Sequence, residues 1–131
     1  MLFSSLTGWL VLAPKRILII CRQPPYGSSY SKEALDVALA TSVFEQSLAL
    51  LFLGDGVWQL LGDQDSSAIG SKNTSKQLSA LPLYDIKEVY VDSNALQQRL
   101  ISADSLVLPA KLLDHREIGD FINSFDTVLS F

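Results

Sequence analysis

Ile17-Leu18-Ile19-Ile20-Cys21 and Leu48-Ala49-Leu50-Leu51-Phe52-Leu53 are two unbroken apolar runs, and between them Ala34, Leu35, Ala38, Leu39 and Val43 recur at steps of three and four residues. Unbroken apolar runs of this length read as strands with both faces covered. The intervening spacing reads as one buried face of a helix. A strand, a helix and a second strand make a βαβ unit, whose crossover is right-handed and whose strands are parallel. After the first run, Pro24, Pro25 and Gly27 lie among small polar residues that no helix can traverse, so 22–30 is expected to be a loop at the strand's carboxyl end. Ser31 is placed to cap the helix, although Ala34 stands where a reciprocal capping box needs Glu or Gln.

The pattern continues outward. Val57, Trp58, Leu60 and Leu61 predict a short helical turn after Gly54-Asp55-Gly56, and the polar stretch from Gly62 to Thr74 predicts an exposed loop. Lys76 to Leu83 reads as a short helix that Pro82 ends or bends. Glu88 to Val91 reads as a third strand, with Asp92 or Ser93 capping a helix to about Leu100. Leu106-Val107-Leu108, stopped by Pro109, is the expected fourth strand. Ile118, Phe121, Ile122 and Phe125 mark a last helix, with Asp114 and Glu117 at capping-box spacing, and Thr127 to Phe131 closes the chain as a strand. The expected architecture is α/β: a three-layer sandwich with a roughly five-stranded, mostly parallel central sheet flanked by helices.

A chain of 131 residues is long enough for one domain with a real core. Apolar residues make up 48% and charged residues only 18%. That balance fits either a sheet buried on both faces or an apolar surface covered by another chain. The net charge of −4 gives no basic field for a nucleic-acid backbone, so direct nucleic-acid binding is not expected. Residues 1–14 form an apolar arm, interrupted by Ser4, Ser5, Thr7 and Gly8 and with no positive charge ahead of it, followed by the domain at 15–131. The arm is too short for a membrane span of about 20 residues. It also lacks the layout of a signal peptide. An ordered arm against a partner, an interfacial helix and a start-site extension all fit it.

Chemistry-bearing residues are few. Cys21 is the one cysteine and His115 the one histidine, so the chain has neither an intrachain disulfide nor a familiar zinc set, and no cofactor or metal is expected. At the end of an apolar strand Cys21 reads as a small buried hydrophobe, and the alternative is a reactive thiol, which needs an exposed, thiolate-stabilising setting. His115 falls in the first turn of the last helix, a solvated or capping position more than a catalytic one. Gly54-Asp55-Gly56 reads either as a ligand loop at a strand's carboxyl end or as a tight turn that needs glycine. Trp58, Leu60 and Leu61 offer more apolar area than one turn can hide, making them the expected interface residues, with core packing as the alternative.

Lys15-Arg16-Ile17, Pro25-Tyr26-Gly27, Glu33 to Ser42, Phe52-Leu53-Gly54-Asp55-Gly56-Val57-Trp58-Gln59-Leu60-Leu61, Leu83-Tyr84-Asp85-Ile86 and Asp126 to Phe131 stand in an order that resembles TusC-type chains of the DsrE/DsrF-like sulfur-relay family. The resemblance spans Lys15 to Phe131. It implies a cytoplasmic heterohexamer with TusB-like and TusD-like subunits, which relays persulfide sulfur between TusA-like and TusE-like proteins toward 2-thiolation of tRNA wobble uridine. It also implies that the sulfur rides on a TusD-type cysteine, whose place here, roughly Leu78 to Tyr84, holds no cysteine. A small-ligand α/β binding protein and a sulfurtransferase using Cys21 are the alternatives.

Overall fold

The computed structural model describes residues 5–6, 9–10, 15–25, 29–43, 47–61 and 78–131. Five parallel strands form the central sheet: β1 (Arg16–Cys21), β2 (Ser47–Phe52), β3 (Glu88–Asp92), β4 (Lys111–Leu113) and β5 (Thr127–Ser130), in the spatial order β4-β3-β2-β1-β5. The helices are α1 (Tyr30–Ser42), α2 (Ser93–Gln98) and α3 (Ile118–Asn123), with 3₁₀ turns at Gly54–Leu60, Leu81–Tyr84, Ala103–Ser105 and His115–Glu117. Ser5–Leu6 and Trp9–Leu10 pair with each other, apart from this sheet.

The strand order fixes the layers. From β1 the chain steps outward through β2 and β3 to β4, then returns to the far side of β1 as β5. Right-handed crossovers place the first three connections on one face of the sheet and the last on the other. The packing follows that rule: Ile19, Cys21, Leu50, Phe52, Val89 and Val91 lie against Ala34, Leu35 and Ala38 of α1, the turn residues Val57 and Leu60, and Ala95 and Leu96 of α2. On the other face Leu18, Ile20, Ala49 and Leu51 are covered by Ile118, Phe121, Ile122 and Phe125. There Tyr90 tilts against Phe121 at 4.4 Å between centroids, Phe121 meets Phe125 edge-on at 5.1 Å, and the Arg16 guanidinium lies 4.3 Å over Phe125. Arg16 also donates to the Ser124 carbonyl at 3.0 Å, fastening the start of β1 to the turn before β5.

Local chemistry explains most element ends, with three departures from expectation. The α1 N-cap is Ser29, whose hydroxyl donates to Glu33 Oε2 at 3.1 Å; Ser31 is buried inside the first turn. The expected strand at Leu106–Leu108 does not join the sheet. Val107 donates to the Leu60 carbonyl at 2.8 Å and Leu106 bridges Leu61 in antiparallel fashion, so this apolar run packs along the Gly54–Leu61 segment, while the place beside β3 goes to Lys111–Leu113. The last helix opens as a 3₁₀ turn, where Asp114 accepts from the Arg116 amide at 2.9 Å and the Glu117 carboxylate accepts from the Asp114 amide at 2.9 Å, completing the anticipated capping box. Asp92 caps α2 by accepting from the Asn94 amide at 3.0 Å.

Two helical ends close with a non-glycine residue at positive φ. Asp85 (φ 61°) donates to the Pro82 carbonyl while Ile86 donates to that of Leu81; Leu100 (φ 55°) donates to the Gln97 carbonyl while Ile101 donates to that of Leu96. This paired closure satisfies carbonyls left open at a helix end and normally recruits glycine. Leu81, Ile86 and Leu96 turn inward, whereas Leu83 and Leu100 project outward, 85% and 94% exposed. The polar stretch 62–74 and the start of the segment expected to be helical from Lys76 lie outside the described residues, as does most of the arm.

Candidate functional site at the carboxyl edge of the sheet

In parallel α/β sheets, functional groups collect where the strands deliver their carboxyl ends. Here β1 ends at Cys21, β2 at Phe52 and β3 at Asp92, and the turn Gly54–Leu60 packs against β3 and α2. Leu53 donates to the Cys21 carbonyl at 3.1 Å, and Gly56 then donates to the Leu53 carbonyl at 2.9 Å, bending the chain back over the end of β1. Both glycines have structural reasons. Gly54 adopts φ +51°, and a Cβ on Gly56 would land on the Cys21 carbonyl oxygen and within 2.6 Å of its carbon. Gly54-Asp55-Gly56 is therefore a turn that glycine makes possible.

Side chains lock this turn in place. Gln59, 1% exposed, donates from Nε2 to the Gln23 carbonyl at 2.7 Å, tying it to the loop after β1; its buried Oε1 has no hydrogen-bond partner among the described residues. Asp55 receives Arg99 at 3.0 Å, and the same guanidinium donates to the Ala95 carbonyl at 3.1 Å, linking the turn to α2. Further along the edge, the largely buried Asp92 carboxylate faces the exposed His115 ring, with Nδ1 3.4 Å from Oδ2. An ion pair with Arg116 at 3.1 Å, together with the Arg116 amide, holds the Asp114 carboxyl below its ordinary range. Sequence spacing gave no sign of these contacts, because Gln23–Gln59, Asp55–Arg99 and Asp92–His115 join residues 36, 44 and 23 positions apart.

The one thiol lies beneath this edge. Cys21 is 1% exposed and surrounded by the core of the helix-rich face. Burial pushes it up to about 12, so the thiolate that a persulfide carrier needs does not form near neutral pH. Of the three residues expected at an interface, Leu60 is wholly buried in the chain's own core and presents nothing to a partner. Trp58 and Leu61 are half-buried and reach the surface. The alternation follows from the turn: Val57 and Leu60, three apart, share the inward face. Leu78 and Leu81 are core residues, while Leu83 and Tyr84 face outward. Among the described residues no three His, Cys, Asp or Glu side chains gather as a metal site, and no helix is long and apolar enough to cross a membrane.

These features define a class: a doubly wound, all-parallel α/β sandwich whose carboxyl edge is closed by a glycine turn over a buried, protonated thiol. The chain belongs to the DsrE/DsrF-like family, whose model matches residues 15–131. The intracellular sulfur oxidation protein DsrF of Allochromatium vinosum is 34% identical to it, over 89% of this chain and 96% of the relative. A TusC homolog of Pseudomonas aeruginosa is 33% identical, over 87% of this chain and 96% of the relative. One of Vibrio parahaemolyticus is 34% identical, over 88% and 98%. Among solved structures, the ychN protein from E. coli superposes with a TM-score of 0.76 at 25% identity, covering 89% of this chain and 99% of that one.

Proposed function

We propose that the chain is a non-catalytic subunit of a TusBCD-like sulfur-relay complex, cytoplasmic and heterohexameric, that carries persulfide sulfur toward 2-thiolation of tRNA wobble uridine. The observation that carries the reading is Cys21: the one thiol of a chain in this family is buried, with its pKa raised to about 12. Sulfur transfer between proteins runs through an accessible thiolate. The sulfur is therefore held by TusD-like partners, while this chain and TusB-like subunits shape the complex, with TusA-like and TusE-like proteins as donor and acceptor. Trp58 and Leu61, at the surface beside the closed carboxyl edge, are the contact residues toward those subunits.

The likeness to DsrF supports a second reading, in which the same architecture serves intracellular sulfur oxidation. A sulfurtransferase acting through Cys21 is disfavoured by burial of that thiol. The test is co-expression with TusB-like and TusD-like chains from the same genome, followed by native mass spectrometry and persulfide loading. A mixed complex that takes up sulfur on a partner's cysteine, and still does so with Cys21→Ser, is the expected result; Trp58→Ala weakens its assembly. A persulfide on Cys21, with transfer abolished by Cys21→Ser, refutes the reading. Loss of 2-thiouridine in a deletion strain supports the tRNA route, and intact 2-thiouridine with impaired sulfur oxidation supports the other.

A further inference from the structure

One carboxylate serves both faces of the sheet. Asp92 ends β3 and is 7% exposed. Its Oδ1 accepts from the Asn94 amide, opening α2, while its Oδ2 lies 3.4 Å from Nδ1 of His115, in the turn that leads into α3. α2 sits on the helix-rich face, where Ala95 and Leu96 are buried with Val57 and Leu60 of the glycine turn. At its far end Arg99 donates to the Ala95 carbonyl at 3.1 Å and to Asp55 of that turn at 3.0 Å. Polar contacts therefore lead from His115 through Asp92, α2 and Arg99 to Asp55, in the turn that carries Trp58.

We propose that α2 is a coupling element that transmits the state of the His115 contact to the Gly54–Leu60 turn, and so to the surface offered by Trp58. α2 has six residues, and a helix that short does not persist in water on its own hydrogen bonds, because nucleation fixes several residues for the first bond gained. It stands on its cap, its two buried side chains and the Arg99 bridge, which hold or fail together. Its closure adds strain: Leu100 takes φ 55° where glycine is usual, and its side chain, 94% exposed, gains little burial to offset the cost. Elements held in this way lie at the low end of local stability within a fold. The His115 ring, 69% exposed, is the accessible end of the route. A group that draws the ring from Asp92 frees the carboxylate to turn; the cap weakens, α2 loosens, and Arg99 releases Asp55. The coupling is a property of this chain and does not rest on the sulfur-relay reading.

Hydrogen–deuterium exchange of the full chain, read by mass spectrometry, tests this in His115→Gln, Arg99→Gln and the double variant. His115→Gln is expected to speed exchange in α2 and in Gly54–Leu60 at least about threefold, with β1 and β2 unchanged. In the Arg99→Gln background the same change at 115 is expected to leave exchange in the turn where Arg99→Gln alone puts it. Should His115→Gln fold poorly, Asp92→Asn gives a second reading: it keeps an acceptor for the Asn94 amide, removes the carboxylate facing His115, and is expected to show the same pattern. A folded His115→Gln with wild-type exchange in the turn overturns the proposal. So does uniform acceleration across all strands, or an effect of His115→Gln on the turn that is undiminished without Arg99.

Discussion

Gly56→Ala is expected to damage the fold far more than Gly54→Ala, although the two glycines flank one aspartate. At Gly56 the added methyl would meet the backbone of Cys21, with the carbonyl carbon 2.6 Å away where real contacts stay beyond 3.0 Å. No flexible side chain can yield there, since the obstacle is the backbone at the end of β1. Either β1 or the turn must shift, and the Leu53 to Cys21 hydrogen bond of 3.1 Å is lost or stretched. Overpacking of this kind costs about 1–3 kcal/mol. The hydrogen bond adds about 1 kcal/mol, so the total is roughly 2–4 kcal/mol. Gly54 has open space around its missing Cβ and pays only for φ +51°, about 1–2 kcal/mol. Urea denaturation followed by circular dichroism measures both. Equal losses, or a Gly56→Ala variant within about 0.5 kcal/mol of the wild type, would refute the idea that the turn is seated on the Cys21 carbonyl.

Other consequences can be tested on the same protein. Because Cys21 stays protonated in the fold up to about 12 and ionises in the unfolded chain from about 9, its stability contribution is complete below pH 9 and declines as pH rises through that window. The slope attributable to it is about 1.4 kcal/mol per pH unit; it should be absent from Cys21→Ala and appear in the difference between wild type and that variant. The same burial predicts that a thiol reagent modifies Cys21 in native protein no faster than unfolding allows, and rapid stoichiometric labelling without denaturant would contradict it. Leu100→Gly should raise stability by about 0.5 kcal/mol or more, because it relieves a positive φ at a residue 94% exposed; a lower melting temperature would count against the assigned closure. Asp114→Ala removes the capping box and should lower the melting temperature, read by thermal circular dichroism. The Asp114 carboxyl is held below its ordinary range, so its ionised form and that contribution persist at neutral pH and are lost as the solution is acidified through the lowered value.

Much of this molecule was legible without coordinates, and the legible part has a common cause. The unbroken runs that became β1 and β2, the three-and-four spacing of α1, and the Asp114–Glu117 box are all local: burial on both faces, helical period and capping leave their mark within a few residues. The family model matches residues 15–131, and the resemblance legible in the sequence rests on Lys15 to Ile17, Pro25 to Gly27, Glu33 to Ser42, Phe52 to Leu61, Leu83 to Ile86 and Asp126 to Phe131. Tertiary structure alone decided which of two apolar stretches near the fourth strand enters the ladder. Leu106–Leu108 is the more hydrophobic, yet it pairs with Leu60 and Leu61, and Lys111–Leu113 takes the place beside β3. Hydrophobicity encodes burial, and burial can be satisfied outside a sheet. Likewise only the fold turned Leu60 inward and left Trp58 and Leu61 at the surface. It also joined Asp55 to Arg99 and Asp92 to His115 across distances no spacing rule spans, and it enclosed the one thiol. The sequence by itself determined that Cys21 was the chain's one candidate for sulfur chemistry; the packing of α1 and the glycine turn over the end of β1 decided that it is a buried, protonated side chain, because ionisation depends on neighbours that only the folded chain brings together.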